Sequence, residues 1–118
     1  MFISWGKETP KVYTQADIDR ILTALDSGDY GAILRAKGIV NGTDGAWIEF
    51  DYVPEEHEIR AGHPDYTGRL CVIGSNLKEE KLAELFGLSA KKFMADIPVY
   101  LIAGFWEGGK TDFINAII

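Results

Sequence analysis

The residues with the clearest chemical signature lie near the C-terminus, where the chain reads IPVYLIAGFWEGGKTDFINAII. Within it, GFWEGGKT (104–111) fits the phosphate-binding pattern G-x-x-x-x-G-K-[ST], preceded by an apolar strand-like run and followed by a helix-like run. In such a loop, backbone N–H groups surround phosphate oxygens at the positive end of a helix. The lysine reaches the β- and γ-phosphates, and the hydroxyl of the last residue ligates Mg²⁺. The pattern therefore predicts a phosphate site formed by Gly104, Gly108, Gly109, Lys110 and Thr111.

A phosphate loop alone does not make a nucleotide hydrolase. Hydrolysis also needs a second carboxylate for Mg²⁺, a residue that orients water and a segment that recognises the base. In enzymes with this loop those parts follow it in sequence, whereas this chain ends at Ile118. We therefore expect no catalytic activity from this chain. The alternative is a nucleotide-binding protein whose site another chain completes, with the apolar segment FINAII (113–118) buried in a homo-oligomer.

A second group of chemically informative residues lies in the run AILRAKGIV, where two basic residues interrupt an apolar strand. Arg35 and Lys37 are two residues apart, so both side chains point to the same face of a strand. One interpretation is a basic pair that meets a carboxylate or phosphate of a partner. The alternative, which the spacing favours, is a solvated strand face balanced by Glu49 or Asp51 across a hairpin.

Imidazole and carboxylate side chains are also concentrated between residues 55 and 63. His57 and His63, with the acidic residues Glu55, Glu56 and Glu58, offer ligands for a divalent metal ion. Their spacing matches no established ligand pattern. A charged strand edge that discourages pairing between sheets explains the same residues without a metal. A metal-binding carrier is thus a third interpretation of the chain.

The composition narrows the class of protein. The chain has 118 residues, of which 47% are hydrophobic and 25% charged, and its formal net charge is −6. These values are those of a small globular domain, and the acidic balance disfavours nucleic acid or an anionic membrane as a partner. Cys71 is the single cysteine, so no intrachain disulfide forms, and we expect a small core residue in a cytoplasmic protein.

The elements that must position these residues follow from periodicity and turn signals. Thr14 and Asp17 resemble a capping box, and apolar residues at helical spacing follow them up to the glycine stop at Gly28. The runs AILRAKGIV and AWIEFDYV, joined by NGTDG, predict a β-hairpin. HEIRAG and RLCVIG predict two more strands, and LKEEKLAELF a second helix. The order is β-α-β-β-β-β-α, which predicts an α+β fold with helices on one face of a mainly antiparallel sheet of four to five strands.

These elements carry motifs that resemble a known family. The strand motif R-A-K-G followed by an apolar pair, then W-x-x-F-D-Y-V-P, then GRLCVIGSNL leading into a helix, is similar to the C-terminal domain of CobW-type GTPases, the cobalamin-synthesis and metallochaperone family. The resemblance covers residues 1–88, with a linker at 89–96. Residues 97–118 resemble the truncated beginning of a CobW-type GTPase domain, with Ala103, Trp106 and Asp112 departing from the usual T-G-F-L-x-S-G-K-T-T.

The resemblance implies a function. It predicts a non-catalytic accessory domain of a CobW-like GTPase or metallochaperone system, with an incomplete phosphate loop that would take GTP and Mg²⁺. Its expected partners are a GTPase domain or a client metalloprotein. The docking surface that we predict comprises Arg35, Lys37 and the hairpin around Trp47.

Overall fold

The structure, a computed structural model, describes residues 2–88 and 95–96. Two helices lie in these residues: α1 (Gln15–Ala24), which continues into a 3₁₀ turn (Leu25–Ser27), and α2 (Glu79–Leu85). The strands are β1 (Ile3–Thr9), β2 (Val12–Tyr13), β3 (Ala32–Gly42), β4 (Trp47–Val53), β5 (Glu56–Ala61), β6 (Gly68–Ser75) and β7 (Ala95–Asp96). Among the described residues no helix combines the length and apolar character needed to cross a bilayer.

The strands form one sheet in the order β5-β4-β3-β6-β1-β7, and all neighbours along this path are antiparallel. The predicted order β-α-β-β-β-β-α is confirmed. The sequence did not reveal two short strands. β2 pairs in parallel with the end of β3, and β7, within the segment predicted as a linker, pairs with Lys7 and Glu8 of β1.

The hydrophobic core lies between one face of the sheet and the two helices. Apolar side chains at alternate positions of the strands meet the apolar sides of α1 and α2, as strand and helix periodicity require. Phe86, just after α2, stacks at 5.8 Å from Trp5 and at 6.4 Å from Phe50, measured between ring centroids. The main members of the core cluster are Trp5, Tyr13, Ile18, Ile21, Leu22, Val40, Ile48, Phe50, Tyr52, Leu70, Val72, Leu82, Phe86 and Leu88.

The first helix begins as its sequence predicts. The Thr14 hydroxyl accepts a hydrogen bond from the Asp17 N–H at 3.0 Å, and the Asp17 carboxylate accepts one from the Thr14 N–H at 3.1 Å. This reciprocal pair satisfies two backbone donors that would otherwise lack partners. It also lowers the pKa of Asp17, mainly through the bond from the Thr14 backbone. The helix and its 3₁₀ extension end at Gly28 in the left-handed conformation, with φ of 86°.

The turn between β3 and β4 sets the register of the predicted hairpin. Asp44 accepts a hydrogen bond from the Ala46 N–H at 3.0 Å, and the Gly42 N–H donates to the Ala46 carbonyl at 2.9 Å. The register that results places Lys37 opposite Asp51. Since a shift by one residue would turn every side chain to the other face, this turn decides which charges can meet.

Candidate functional site

The face of the sheet that points away from α1 and α2, here called the outer face, carries the predicted docking residues. Strand alternation assigns Arg35 and Lys37 of β3 to this face, because the neighbouring Ala36 belongs to the core on the other side. The same alternation assigns Trp47, Glu49 and Asp51 of β4, Glu58 and Arg60 of β5, and Arg69 and Cys71 of β6 to the outer face.

Arg35 and Lys37 lie side by side on the outer face and are both buried, with 2% and 7% of their surface exposed. One Arg35 guanidinium nitrogen, Nη2, lies 3.5 Å from a carboxylate oxygen of Asp51. Burial lowers the pKa of both basic groups, and the neighbouring Asp51 carboxylate opposes this effect. The carboxylate across the hairpin thus balances the basic pair, as its spacing suggests, but the pair is buried rather than solvated.

Asp51 also belongs to a network of acidic side chains around Arg60. The Arg60 guanidinium donates to Asp51 at 2.6 Å and to Glu58 at 3.1 Å, and it contacts Glu49 as well. Burial lowers the pKa of Arg60, but the hydrogen bonds with Asp51 and Glu49 outweigh this effect and raise it. Charge-assisted bonds of this kind hold planar groups in a defined orientation. We define Arg35, Lys37, Glu49, Asp51, Glu58 and Arg60 as the charged network.

The third predicted docking residue lies at the end of β4 away from Asp51, two residues before Glu49 of the network. Trp47 is half-buried at the start of β4, opposite Asn41. It is four residues before Asp51, which corresponds to about 13 Å along a strand. The structure therefore brings Arg35 and Lys37 together and places Trp47 on the same face, near the other end of the strand.

A shallow cleft of about 300 Å³ opens where the charged network meets the β4–β5 turn. Its lining includes Arg35, Asp51 and Glu58 from the network and His57 from β5. Across the turn, Asp26 accepts hydrogen bonds from the Tyr52 hydroxyl at 2.5 Å and from the Glu55 N–H at 2.8 Å. These bonds attach the turn to the end of the 3₁₀ segment and lower the pKa of Asp26.

The two histidines proposed as metal ligands do not share a site. His57 Nε2 lies 2.8 Å from an Asp19 carboxylate oxygen on α1. His63 is exposed in the loop after β5, six residues further, which is about 20 Å along an extended chain. Within residues 2–88, no group of three or more histidine, cysteine or acidic side chains is arranged to hold a metal ion.

The predicted phosphate loop, 104–111, lies outside the described residues, as does the whole segment 97–118 in which it was identified. Its five predicted site residues, from Gly104 to Thr111, remain predictions from the sequence pattern.

The described residues form a small α+β domain with a charged network on the outer face of its sheet. Residues 2–88 match the family described as the cobalamin synthesis protein cobW C-terminal domain. Because this match spans well over half of the sequence, the chain belongs to the CobW C-terminal domain family. No curated protein sequence matches the chain.

Two solved structures share the fold. The Zn(II)-bound YjiA GTPase from E. coli superposes with a TM-score of 0.61 at 22% identity, over 73% of this chain and 29% of that protein. A Zn(II)-bound triple mutant of the YjiA GTPase gives a TM-score of 0.60 at 23% identity, over 75% of this chain and 30% of that one. The chain therefore spans less than a third of the length of these GTPases.

Proposed function

We propose that this chain is a non-catalytic accessory domain of a CobW-like GTPase or metallochaperone system. One observation carries the proposal: the family match covers residues 2–88, and the similar structures align with this chain over less than a third of their length. The part of the chain that the structure describes thus corresponds to a minor portion of a protein that is named a GTPase. An accessory role is the function that such a portion supports best, because hydrolysis needs a complete nucleotide domain.

The accessory domain acts by docking, and its surface is the outer face. Arg35 and Lys37 are too buried to supply much contact area themselves. Instead, they help Arg60 to hold Asp51 in place, and the partly exposed carboxylates and guanidinium of the charged network meet the partner. Such an arrangement favours specificity and correct orientation more than raw affinity. The partner is a CobW-type GTPase domain or a client metalloprotein.

Calorimetric titration of the chain with a purified CobW-type GTPase domain tests this docking surface. The double variant Arg35→Ala/Lys37→Ala should bind at least about tenfold more weakly, a loss of about 1.4 kcal/mol, because Asp51 then keeps only Arg60 of the three cations beside it. Lys78→Ala/Lys81→Ala is the matched control, since it removes the same charge from exposed positions on the helix side. Equal affinity of both variants, with both folded by circular dichroism, would show that the outer face is not the docking surface.

Because buried residues are altered in the first variant, a second variant separates docking from folding. Trp47→Ala removes a half-buried side chain from the same face and leaves all six residues of the charged network unchanged. It should also weaken binding. If neither variant changes the affinity of a partner that does bind, the docking role belongs to another surface.

A second candidate function rests on the sequence GFWEGGKT, which supports nucleotide binding at a site completed by another chain. Titration with fluorescent GTP and Mg²⁺ tests it. Saturable binding should disappear in Lys110→Ala, which removes the cation nearest the β- and γ-phosphates, and should persist in Lys78→Ala. Absence of binding by the unaltered chain, alone and with its partner present, would rule this function out.

A further inference from the structure

Among the described strands, β5 is the last of the sheet, and no other described strand pairs with its outward side. In the described sheet, β5 pairs only with β4. The Gly62 N–H donates to the Trp47 carbonyl at 2.9 Å, so Gly62 and Trp47 form a hydrogen-bonded pair between β5 and β4. Since hydrogen-bonded and non-bonded pairs alternate in an antiparallel ladder, Arg60 and Glu58 bond to β4. The backbone groups of His57, Ile59 and Ala61 therefore point away from the sheet.

We propose that this edge binds a second copy of the chain, by antiparallel pairing of β5 with β5 about a two-fold axis at Ile59. In this register Ile59 faces Ile59 of the second copy, and His57 faces its Ala61. All of these residues have outward-pointing backbone groups, so each pair exchanges two backbone hydrogen bonds. A two-fold axis is the commonest symmetry of protein oligomers, because each patch then meets its own copy.

Charge complementarity selects this register among those that the backbone allows. It places Glu58 directly opposite Arg60 of the second copy, twice by symmetry, in a non-bonded pair whose side chains lie closest together. The neighbouring registers of the same phase place Glu58 opposite Glu58, or Arg60 opposite Arg60, and like charges in direct opposition are destabilising. Charged residues on an edge strand usually prevent pairing. Here the acidic Glu58 precedes the basic Arg60 by two residues. This order disfavours the neighbouring registers and favours the register with Ile59 opposite Ile59.

Side chains on the helix-facing side of β5 fit the same arrangement. Ile59 is partly buried and packs against the core cluster, so pairing with its own copy extends an apolar surface that already exists. The small Ala61 side chain stands next to His57 of the second copy, which leaves space for the His57–Asp19 contact. This interface is small and polar at its rim, which is typical of a weak, reversible dimer.

Sedimentation equilibrium of the full chain, from about 1 to 100 µM, tests the proposal because weak dimers of this size class form in that range. The unaltered chain should approach twice its monomer mass at the highest concentration. Glu58→Arg should weaken the dimer at least about tenfold, since it sets a positive charge directly opposite Arg60 of the second copy. Glu58→Gln, which removes the charge without reversing it, should weaken the dimer less than Glu58→Arg. A chain that stays monomeric throughout would overturn the proposal.

Two further variants test whether the effect is specific to this register. Glu56→Arg makes the same charge change on the same face of β5. In the proposed register, however, it faces the uncharged Gly62 of the second copy. It should leave the dimer unchanged, and dissociation as large as that of Glu58→Arg would refute the register. Ile59→Pro removes an N–H that points away from β4, so a folded monomer is expected. An unaltered dimer in this variant would also exclude β5 pairing, and thermal unfolding verifies that every variant is folded.

Discussion

A single carboxylate, Asp26, connects the end of the first helical segment to the β4–β5 turn that borders the charged network. It accepts one hydrogen bond from the Tyr52 hydroxyl and one from the Glu55 N–H, at 2.5 and 2.8 Å. Glu55 has a positive φ of 65°, an unfavourable conformation for a residue with a side chain. The bond from its N–H to Asp26 helps to hold the turn in that conformation.

Removal of the Tyr52 hydroxyl measures the contribution of this contact. Tyr52→Phe should lower the free energy of unfolding by about 1–2 kcal/mol, because a charge-assisted hydrogen bond is lost while the buried ring remains. Urea denaturation followed by circular dichroism gives the value. Tyr66→Phe is the matched control, since Tyr66 is 86% exposed and its substitution should change stability by less than about 0.5 kcal/mol. Equal effects of the two variants would mean that the Asp26 contact contributes nothing.

At the level of single residues, the sequence predicted contacts within one hairpin but not contacts between elements. Strand alternation placed Arg35 and Lys37 on one face and offered Glu49 or Asp51 as their counterparts, and the structure has Asp51 beside both. The contact between Asp26 and Tyr52 joins residues 26 positions apart in different elements. No local pattern encodes such a pair, because it depends on how the helix packs on the sheet. The burial of Arg35 and Lys37 is equally a property of the packed fold.

At the level of elements, the start of α1 was predictable because its signal is local. The capping box needs only residues three positions apart, and both of its hydrogen bonds are present. The parallel pairing of β2 with β3 was not predictable, since two residues carry no periodicity. A register irregularity in β3, between Ile33 and Arg35, also has no sequence signal of its own. Short strands and bulges arise from the fit between longer elements.

The capping box allows a comparison within one helix. Thr14→Ala should destabilise the protein by about 1 kcal/mol, because it leaves the Asp17 N–H without its side-chain acceptor. Thr23→Ala, an identical substitution at an exposed position of the same helix, should be neutral or slightly stabilising, since alanine is the better helix former. Chemical denaturation of both variants gives the difference. If the two variants were equally stable, α1 would not depend on its cap.

A close approach between β3 and β4 gives a second test of the elements. A Cβ atom at Gly38 would lie 2.3 Å from the Phe50 ring, which is fully buried. Gly38→Ala should therefore cost about 1–3 kcal/mol of stability through overpacking. In the double variant Gly38→Ala/Phe50→Leu the loss should be smaller than the sum of the two single losses, because the smaller side chain relieves the clash. Additive losses in this double-mutant cycle would show that the ring is not what excludes a side chain at position 38.

For the molecule as a whole, the described part of the core and the family match cover the same part of the chain. The core cluster that the described residues form runs from Trp5 to Leu88, and the CobW C-terminal domain family matches residues 2–88. β7 adds only two described residues to the sheet, paired with Lys7 and Glu8. The sequence-based domain boundaries, 1–88 with a linker at 89–96, remain a prediction, and they imply that residues 1–96 fold independently.

Truncation tests this independence directly. A chain of residues 1–96 should unfold cooperatively in urea and retain the near-ultraviolet circular dichroism of Trp5 and Trp47, because every described member of the core cluster is still present. A chain of residues 1–77 is the negative control. It lacks α2 and Phe86, whose ring stacks on Trp5 and whose carbonyl accepts the buried Tyr13 hydroxyl at 2.6 Å. Cooperative unfolding of the longer chain alone would establish residues 1–96 as a folding unit, whereas gradual unfolding of both would mean that the fold depends on residues after 96.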